Sequence, residues 1–535
     1  MITEANFLPG SGLIEEPIGL AYIASLLEKN DYSVNILDNN IDKLDDEQIL
    51  NYIKSKRPKT ICIGFTTLQA DDAYKLCNII KKDFQDIHLV LCGVHPTLMP
   101  EEAFSKGNAD FVVIGEEETT TLELTNALKE GKNFRDIPGL AFKENGKIII
   151  NQPRKLIKDL DNLPFPAYHL LKWKKYQTNI HGKYENKRAF NVIASRGCSF
   201  KCNFCLGSML YGGSLRLRTV DNVIKEIGWI ISNYGIEYIH FEDNDFLLRT
   251  EEWIKEFCNK IISKKIKFKW LIQTRVDSVI RFKEHLNEMR KAGCVGVELG
   301  IESGDEIVLK KINKGININK MKIANDLLKK SDIDPFYLMI SYNEGENLDS
   351  AYKSAKLIYE LENNCNAKSE FIPYIKNLKR NGEIPIMGHQ SLPTIGTQFR
   401  EDIDKKGAFF AKKWSDYTID KINFIPIELL SDIPVKNGVD NDSVNTHIKK
   451  YENQIKEYMS TSFYLPENLV NDNFKTYEDY AGFLSELYSL CNGTTTVKKL
   501  AESISKTHNL SIQITVSGLM ILSILRLIKS KNQRA

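Results

Sequence analysis

The sequence predicts an α/β protein: a doubly wound N-terminal domain, then a partial or full β/α barrel of the TIM kind, then a mostly helical C-terminal region. Three observations carry this. Apolar strand patterns alternate with helical ones over roughly the first 150 residues, a second β/α series starts near Asn191, and the alternation fades beyond about Asn363. At 535 residues the chain is also too long for one hydrophobic core.

In the first part, helical spacing is expected over residues 19–29, 47–55, 70–83, 101–105 and 118–129. Strands are expected over 33–38 (SVNILD), 60–65 (TICIGF), 88–92 (HLVLC) and 110–114 (DFVVI). Apolar strands between helices imply a parallel sheet covered on both faces. Ligands of such sheets sit at the carboxyl ends of the strands, here near Thr66, Gly93, His95 and Gly115. Residues 151–166 (NQPRKLIKDLDNLPFP) mix charge with three prolines and read as an extended connector.

The second series begins with the strand AFNVIAS and a cysteine-bearing loop. It continues as helix 220–234, strand 238–242, helix 251–264, strand 268–274, helix 285–292, strand 295–300, helix 318–330 and strand 336–340. Loops after barrel strands carry the chemistry. Residues 382–400 read as irregular, 408–417 and 447–459 as helical, and the last stretch as helices separated by Asn492-Gly493. The parts are then a domain over 1–150, a linker over 151–185, a barrel over 186–380, an irregular or helical extension over 381–465 and a helical module over 466–535.

Composition excludes several classes. Hydrophobic content of 42% and charged content of 27% are those of an ordinary globular protein. A net charge of +2 offers no field for nucleic acid or an anionic membrane. Met1-Ile2-Thr3-Glu4 opens without a signal-peptide pattern, and ten cysteines suit a reducing cytoplasm better than a disulfide framework. Residues 512–528 are apolar-rich but interrupted by Gln513, Thr515, Ser517, Ser523 and Arg526, which predicts a buried or amphipathic helix and no membrane span.

Cys198-Ser199-Phe200-Lys201-Cys202-Asn203-Phe204-Cys205 is a C-x3-C-x2-C triplet on the loop after a predicted strand. Three thiolates so spaced can wrap one corner of a [4Fe–4S] cubane and leave the fourth iron open. A structural zinc site closes with four ligands in paired spacing, and no second C-x2-C occurs in the chain. Fortuitous clustering is the remaining alternative.

This triplet, with Phe204 ahead of its last cysteine and Ser195-Arg196-Gly197 before it, resembles the signature of radical SAM enzymes. The resemblance implies that Cys198, Cys202 and Cys205 hold the cluster and that S-adenosylmethionine (SAM) chelates the open iron. Reductive cleavage would then release a 5′-deoxyadenosyl radical, with the electron coming from a donor such as flavodoxin or ferredoxin. Further segments match in order. Residues 240–246 (HFEDNDF) resemble the acidic strand end that approaches the SAM amino group, which implies Glu242 and Asp243. In 270–277 (WLIQTRVD), Arg275 is implied as partner of the SAM carboxylate, the pairing an arginine fork suits. Glu302 and Ser303 in GIESG, with Asn313-Lys314-Gly315, are similar to the segment along the ribose. Residues 339–346 (MISYNEGE) take the place of the adenine loop but depart from it at Tyr342-Asn343.

The N-terminal pattern Pro17-Ile18-Gly19-Leu20-Ala21-Tyr22, Gly93-Val94-His95-Pro96-Thr97 and Gly115-Glu116-Glu117-Glu118 resembles the cobalamin-binding domain that precedes many radical SAM barrels. It implies Thr66, Gly93, His95, Gly115 and Glu116 as cobalamin contacts, with glycines that let backbone approach the corrin. His95 reads equally as a structural turn histidine. No D-x-H-x-x-G motif is present, so no lower axial histidine is expected. The chain reaches Asn6-Phe7-Leu8-Pro9 almost at once, which leaves a very short first strand or a truncated start. Residues 487–528 resemble small winged-helix modules that bind leader peptides in ribosomal-peptide (RiPP) maturation, or are a plain three-helix packing, with Cys491 a buried thiol or an auxiliary ligand.

The expected function is cobalamin-dependent radical SAM methyl transfer to an unactivated carbon of a small molecule or peptide. Rearrangement, cyclisation or crosslinking without methyl transfer is the second expectation. A non-catalytic iron–sulfur or cobalamin sensor is the third. No residue is assigned to the substrate chemistry itself.

Overall fold

The computed structural model describes residues 2–3, 16–176, 189–341, 343–346, 348–363, 386–390, 397–406, 434–437, 492–496 and 528–530, with short pieces between 483 and 504. The helices expected at 408–417 and 447–459, most of the 512–528 segment, Tyr342 and Cys491 lie outside the described residues.

The first sheet has seven strands: β1 (Ile2–Thr3), β2 (Leu37–Asp38), β3 (Thr60–Gly64), β4 (His88–Cys92), β5 (Phe111–Val113), β6 (Leu140–Glu144) and β7 (Lys147–Ile150), in the order β2-β1-β3-β4-β5-β6-β7. From β2 through β5 every pairing is parallel. Successive strand residues serve opposite faces. Ile61, Ile63, Leu89 and Leu91 pack on one side with helices Asp46–Lys56 and Ala70–Asp83. Cys62, Val90, Cys92 and Val113 pack on the other with Ile18–Glu28 and Glu117–Glu130. Period-two alternation with both faces apolar is what makes the strands continuous hydrophobic runs.

The first strand is very short, one of the two readings offered by the sequence, and it sits between β2 and β3, so the strand order reverses there. Two expectations are corrected. Of 33–38, only Leu37–Asp38 is strand. The sheet is mixed, because β6 and β7 add an antiparallel hairpin at its edge. Asn145 and Gly146 turn that hairpin with positive φ of 50° and 77°, the type I′ geometry that matches strand twist.

The connector is not a free spacer. Ala167 N–H donates to Ala21 O (2.9 Å), and the Tyr168 hydroxyl donates to Asn191 O and Glu226 Oε1 (3.1 and 3.0 Å). The Tyr176 hydroxyl donates to Asp38 Oδ2 (2.6 Å). It thereby joins the N-terminal domain to the second sheet.

That sheet is built from β8 (Ala189–Val192), β11 (Tyr238–Phe241), β12 (Lys269–Thr274), β13 (Cys294–Glu302), β14 (Asp334–Ser341) and β15 (Ile386–Gln390), all parallel, in the order β15-β14-β13-β12-β11-β8. Between β8 and β11 a small antiparallel ribbon pairs β9 (Ser195–Arg196) with β10 (Arg216–Leu217). No bond joins β8 to β15 among the described residues, so the barrel is partial. Ile239, Phe241, Trp270, Ile272, Val297 and Leu299 face outward into the helical layer, while Ala189, Tyr238, Leu271, Val295 and Phe336 close the floor of the lumen. β15 lies beyond residue 380, within the stretch read as irregular, and helix Gln398–Lys406 follows it.

Farther on, β16 (Pro434–Asn437), β17 (Asn492–Thr496) and β18 (Ile528–Ser530) form an antiparallel sheet, β17-β16-β18. Asn492-Gly493 is thus the start of a strand and not a turn between helices. The β-branched Thr494-Thr495-Thr496 favours extended backbone.

Candidate active site

The three residues before Cys198 have separate tasks. The Ser195 hydroxyl donates to Asp243. The Arg196 guanidinium donates to Glu116 Oε1 (3.2 Å) and to Glu118, and lies over the Tyr22 ring at 5.2 Å. Gly197 has φ +95°, and a Cβ there would stand 1.9 Å from Ser214 O, so no other residue fits. The loop they launch carries half-buried Cys198 and Cys202 and exposed Cys205, all free thiols.

The far side of the barrel mouth stitches this loop in place. Asn203 N–H donates to Ile312 O (3.1 Å), Asn203 Nδ2 to Lys311 O (3.0 Å) and Asn313 Nδ2 to Lys201 O (2.6 Å). Phe399 N–H donates to Asn203 O (3.1 Å), which brings the helix after β15 onto the loop.

Two N–H groups point at the sulfurs: Arg275 Nη1 at Cys202 Sγ (3.5 Å) and Gly207 N at Cys205 Sγ (3.3 Å). Burial, reinforced by Asp245, Cys205 and Cys202, pushes the Cys198 thiol above its usual range, so an electropositive group would favour its thiolate. Among the described residues no three His, Cys, Asp or Glu side chains converge on one metal ion. A cubane does not ask for that, since each thiolate binds a different iron. N–H donors to sulfur and a three-thiolate rim fit a [4Fe–4S] cluster.

Arg275 is engaged with this loop more closely than the sequence implied. Its guanidinium stacks on Phe200 at 3.7 Å, donates to Lys314 O and pairs with Asp277 at 3.0 Å. Lys314 Nζ pairs with Glu302 Oε1 at 2.6 Å. Glu302 adopts φ +64° where β13 slips register against β14. Ser303 is buried and accepts from Asp305 N–H (3.2 Å), so it braces the turn. Phe204 packs at the edge of the barrel core. Asn343 closes the following loop through Ile340 O (2.7 Å).

Strand alternation separates the two acids after β11. Asp243 turns away from the lumen into a buried brace, accepting from Ala194 N–H (3.0 Å), Ser195 and Arg249 Nη2 (2.7 Å). Glu242 is exposed at the mouth. Its Oε1 lies 3.0 Å from Nδ1 of buried His240, whose Nε2 is 3.5 Å from Glu298 Oε2 on β13. Sequence reasoning missed His240 and Glu298. The signal was there: each is a polar residue inside an apolar strand, and His240 shares a face with Glu242.

At the N-terminal domain, the order β2-β1-β3-β4-β5 puts the topological switch point between β1 and β3, where Thr66 is exposed. Gly115 follows β5 with φ +87°, and a Cβ there would meet nothing within 4 Å. An exposed strand end and an open glycine leave room for a ligand such as cobalamin. Gly93, His95 and Glu116 each have partners within the protein. Gly93 has φ +101°, and a Cβ would stand 2.4 Å from Phe65 O, so packing by itself requires glycine there. His95 is fully buried against Phe65 and Tyr74, with Nδ1 3.2 Å from Thr67 Oγ1. Burial pushes it down to about 4. That is the turn-histidine role. Glu116 is likewise occupied: Arg216 Nη1 contacts both its oxygens at 2.8 Å, and Ile157 N–H donates to Oε2 at 2.7 Å.

These bonds place the two carboxyl edges together. Glu116 and Glu118 follow β5 of the first sheet, and Arg196 and Arg216 belong to the ribbon that bears the cysteine loop. All four side chains are nearly buried, at 4–11% exposure, and such pairs are strong only while complete.

Residues 11–125 match the B12 binding domain and residues 192–358 the radical SAM superfamily. An uncharacterized methyltransferase of Pyrococcus horikoshii is 35% identical over 316 residues, 59% of this chain and 66% of that one. The anaerobic magnesium-protoporphyrin IX monomethyl ester cyclase of Rubrivivax gelatinosus is 29% identical, covering 64% and 62%. The chain thus spans just under two thirds of the length of these relatives. Among solved structures, the cobalamin-dependent SAM radical enzyme OxsB, with aqua-cobalamin and SAM bound, shares the fold over 98% of this chain and 79% of its own, at 15% identity and TM-score 0.63. The radical SAM methyltransferase TsrM of Kitasatospora setae does so over 68% and 71%, at 16% identity and TM-score 0.55. No described helix is long and apolar enough to cross a membrane.

Proposed function

The chain belongs with the radical SAM proteins that carry a B12-binding domain ahead of the radical SAM domain, and from this premise we propose that it is a cobalamin-dependent methyltransferase acting on an unactivated carbon. One observation carries the proposal: the Glu116/Glu118–Arg196/Arg216 contacts turn the carboxyl edge of the B12-binding sheet toward the ribbon that launches Cys198. A methyl carrier and a radical source must face one substrate, and this docking supplies that geometry.

Bound there, the cluster, SAM and cobalamin would bring one-electron cleavage of a sulfonium C–S bond and a carried methyl group. The residues do the rest. Cys198, Cys202 and Cys205 would hold the cluster, and the N–H groups of Arg275 and Gly207 lower the charge on two of the sulfurs. Glu242, exposed at the mouth, offers a carboxylate to the SAM amino group. The Lys314–Glu302 pair and the Ser303 brace fix the turn beside it. The apolar floor of Tyr238, Leu271 and Phe336 closes the lumen from below, which shields a reactive radical from water. A reduced flavodoxin or ferredoxin would deliver the electron to the cluster, and the substrate would be a small molecule or peptide in the cytoplasm.

The test is anaerobic purification with hydroxocobalamin, cluster reconstitution, and assay of bound corrin, 5′-deoxyadenosine and methylated product. Corrin retained together with SAM-dependent 5′-deoxyadenosine is the expected result. 5′-Deoxyadenosine without corrin would favour radical rearrangement, and neither would remove the enzymatic reading.

A further inference from the structure

The barrel lumen holds a charged trio that the cluster and cobalamin do not require. On β11, Tyr238 and His240 face inward, as does Glu242 directly after it, while Ile239 and Phe241 pack outward. His240 sits one level above the floor. Its ring nitrogens are 3.0 Å from Glu242 Oε1 and 3.5 Å from Glu298 Oε2, yet neither contact has hydrogen-bond alignment. The His240 and Glu298 side chains are only 7% and 5% exposed. Among the described residues, this imidazole is the sole ion-pair partner of Glu298.

A carboxylate that deep is costly without a counterion. The charged groups acting on His240 are Glu298 from β13 and Glu242 directly after β11, whereas β8 and β12 bring Asn191 and Leu271 to its level. Burial alone would lower its pKa, but the two carboxylates outweigh burial and push it well above the usual range. Of the two carboxylates flanking the ring, Glu298 is buried and only Glu242 can be reached from the mouth.

We propose that His240 is a positioning residue: pinned over buried Glu298, it holds one oxygen of Glu242 and leaves the other at the barrel mouth for the α-ammonium of SAM. The proposal rests on the reading of the barrel as a SAM site. It adds a dependence of SAM affinity on two residues that never touch SAM.

The full-length, cluster-loaded protein tests it in two ways. His240→Ala should raise KM for SAM in 5′-deoxyadenosine formation about tenfold, the loss of one charge-assisted contact, with kcat within about twofold. His240→Gln, which keeps an amide donor within reach of Glu242, should recover part of that loss. Separately, 13C-labelled histidine NMR should find the His240 ring, identified by its absence in His240→Gln, protonated from pH 6 to 8. In Glu298→Gln the same ring should titrate within that window, and KM for SAM should become pH-dependent there. An unchanged KM in His240→Ala and Glu298→Gln, or a wild-type ring that titrates near the ordinary histidine value, would overturn the proposal. Failure of the wild type to form any 5′-deoxyadenosine would count against the enzymatic reading instead, and the NMR arm would still decide the state of His240.

Discussion

Two carboxyl edges face each other in this molecule, and they use their acids in opposite ways. At the N-terminal sheet, Glu116 and Glu118 are buried on Arg196 and Arg216. At the barrel, Glu242 is exposed and the neighbouring pairs are internal to the mouth. The first edge spends charge on docking and the second keeps it for a ligand. An acid after a strand therefore says little by itself. What decides its role is whether a second layer of protein arrives to neutralise it.

The sharpest break in that comparison comes from the cysteine loop. Cys202→Ala should abolish 5′-deoxyadenosine formation while corrin binding persists, because the corrin edge draws on no cysteine of this loop. Parallel measurement of corrin absorbance and SAM cleavage checks this. Retained cleavage would remove the cluster from Cys202, and lost corrin would show that the two edges fold as one unit.

The next effect concerns the docking itself. Arg196→Met leaves Glu116 with Arg216 and the Ile157 N–H, and Glu118 without its guanidinium. Stranding a buried carboxylate costs about 3–5 kcal/mol. Urea unfolding should register that loss, and the variant should couple SAM cleavage to methylation less well than the wild type. A loss under about 1 kcal/mol, as exposed pairs show, would mean that water reaches this contact.

A smaller effect is set by pH. His95 is held near 4 by burial, below its unfolded value, so the fold keeps it neutral where the unfolded chain protonates it. Stability should therefore be full above about pH 6.5 and fall toward pH 4, by on the order of 3 kcal/mol from this group. His95→Phe, set among Phe65 and Tyr74, should flatten that part of the profile and leave the spectrum of bound corrin unchanged. A changed corrin spectrum would return His95 to the ligand.

How much of this was legible in the sequence follows from range. Helices and strands of the two β/α series came through because their periodicity is local: residues 70–83 were read as helix and Ala70–Asp83 is one. The cysteine triplet was legible for the same reason, as were the segments that meet it. The hairpin β6–β7 is marked only by the Asn145-Gly146 turn, and an antiparallel edge lies outside the helix–strand alternation that signals the rest of the sheet. Pairings between domains had no local signal. Arg196 and Glu116 are 80 residues apart, and nothing near either predicts that they meet. His240 and Glu298 needed strand register, which shows only once β11, β12 and β13 are placed side by side.

The finest distinction lies between two glycines that looked alike. Gly93 and Gly115 both end strands with positive φ, +101° and +87°. Gly93→Ala drives a methyl against the Phe65 carbonyl, so its cost should exceed the strain alone. Gly115→Ala meets no neighbour within 4 Å and should cost only about 1 kcal/mol for the left-handed backbone. If the open space at Gly115 is where backbone approaches cobalamin, that small stability loss will come with several-fold weaker corrin retention on gel filtration. Unchanged retention would move the corrin contact away from the β5 end, toward Thr66 and the switch point beside β1 and β3, where the strand order alone would place it.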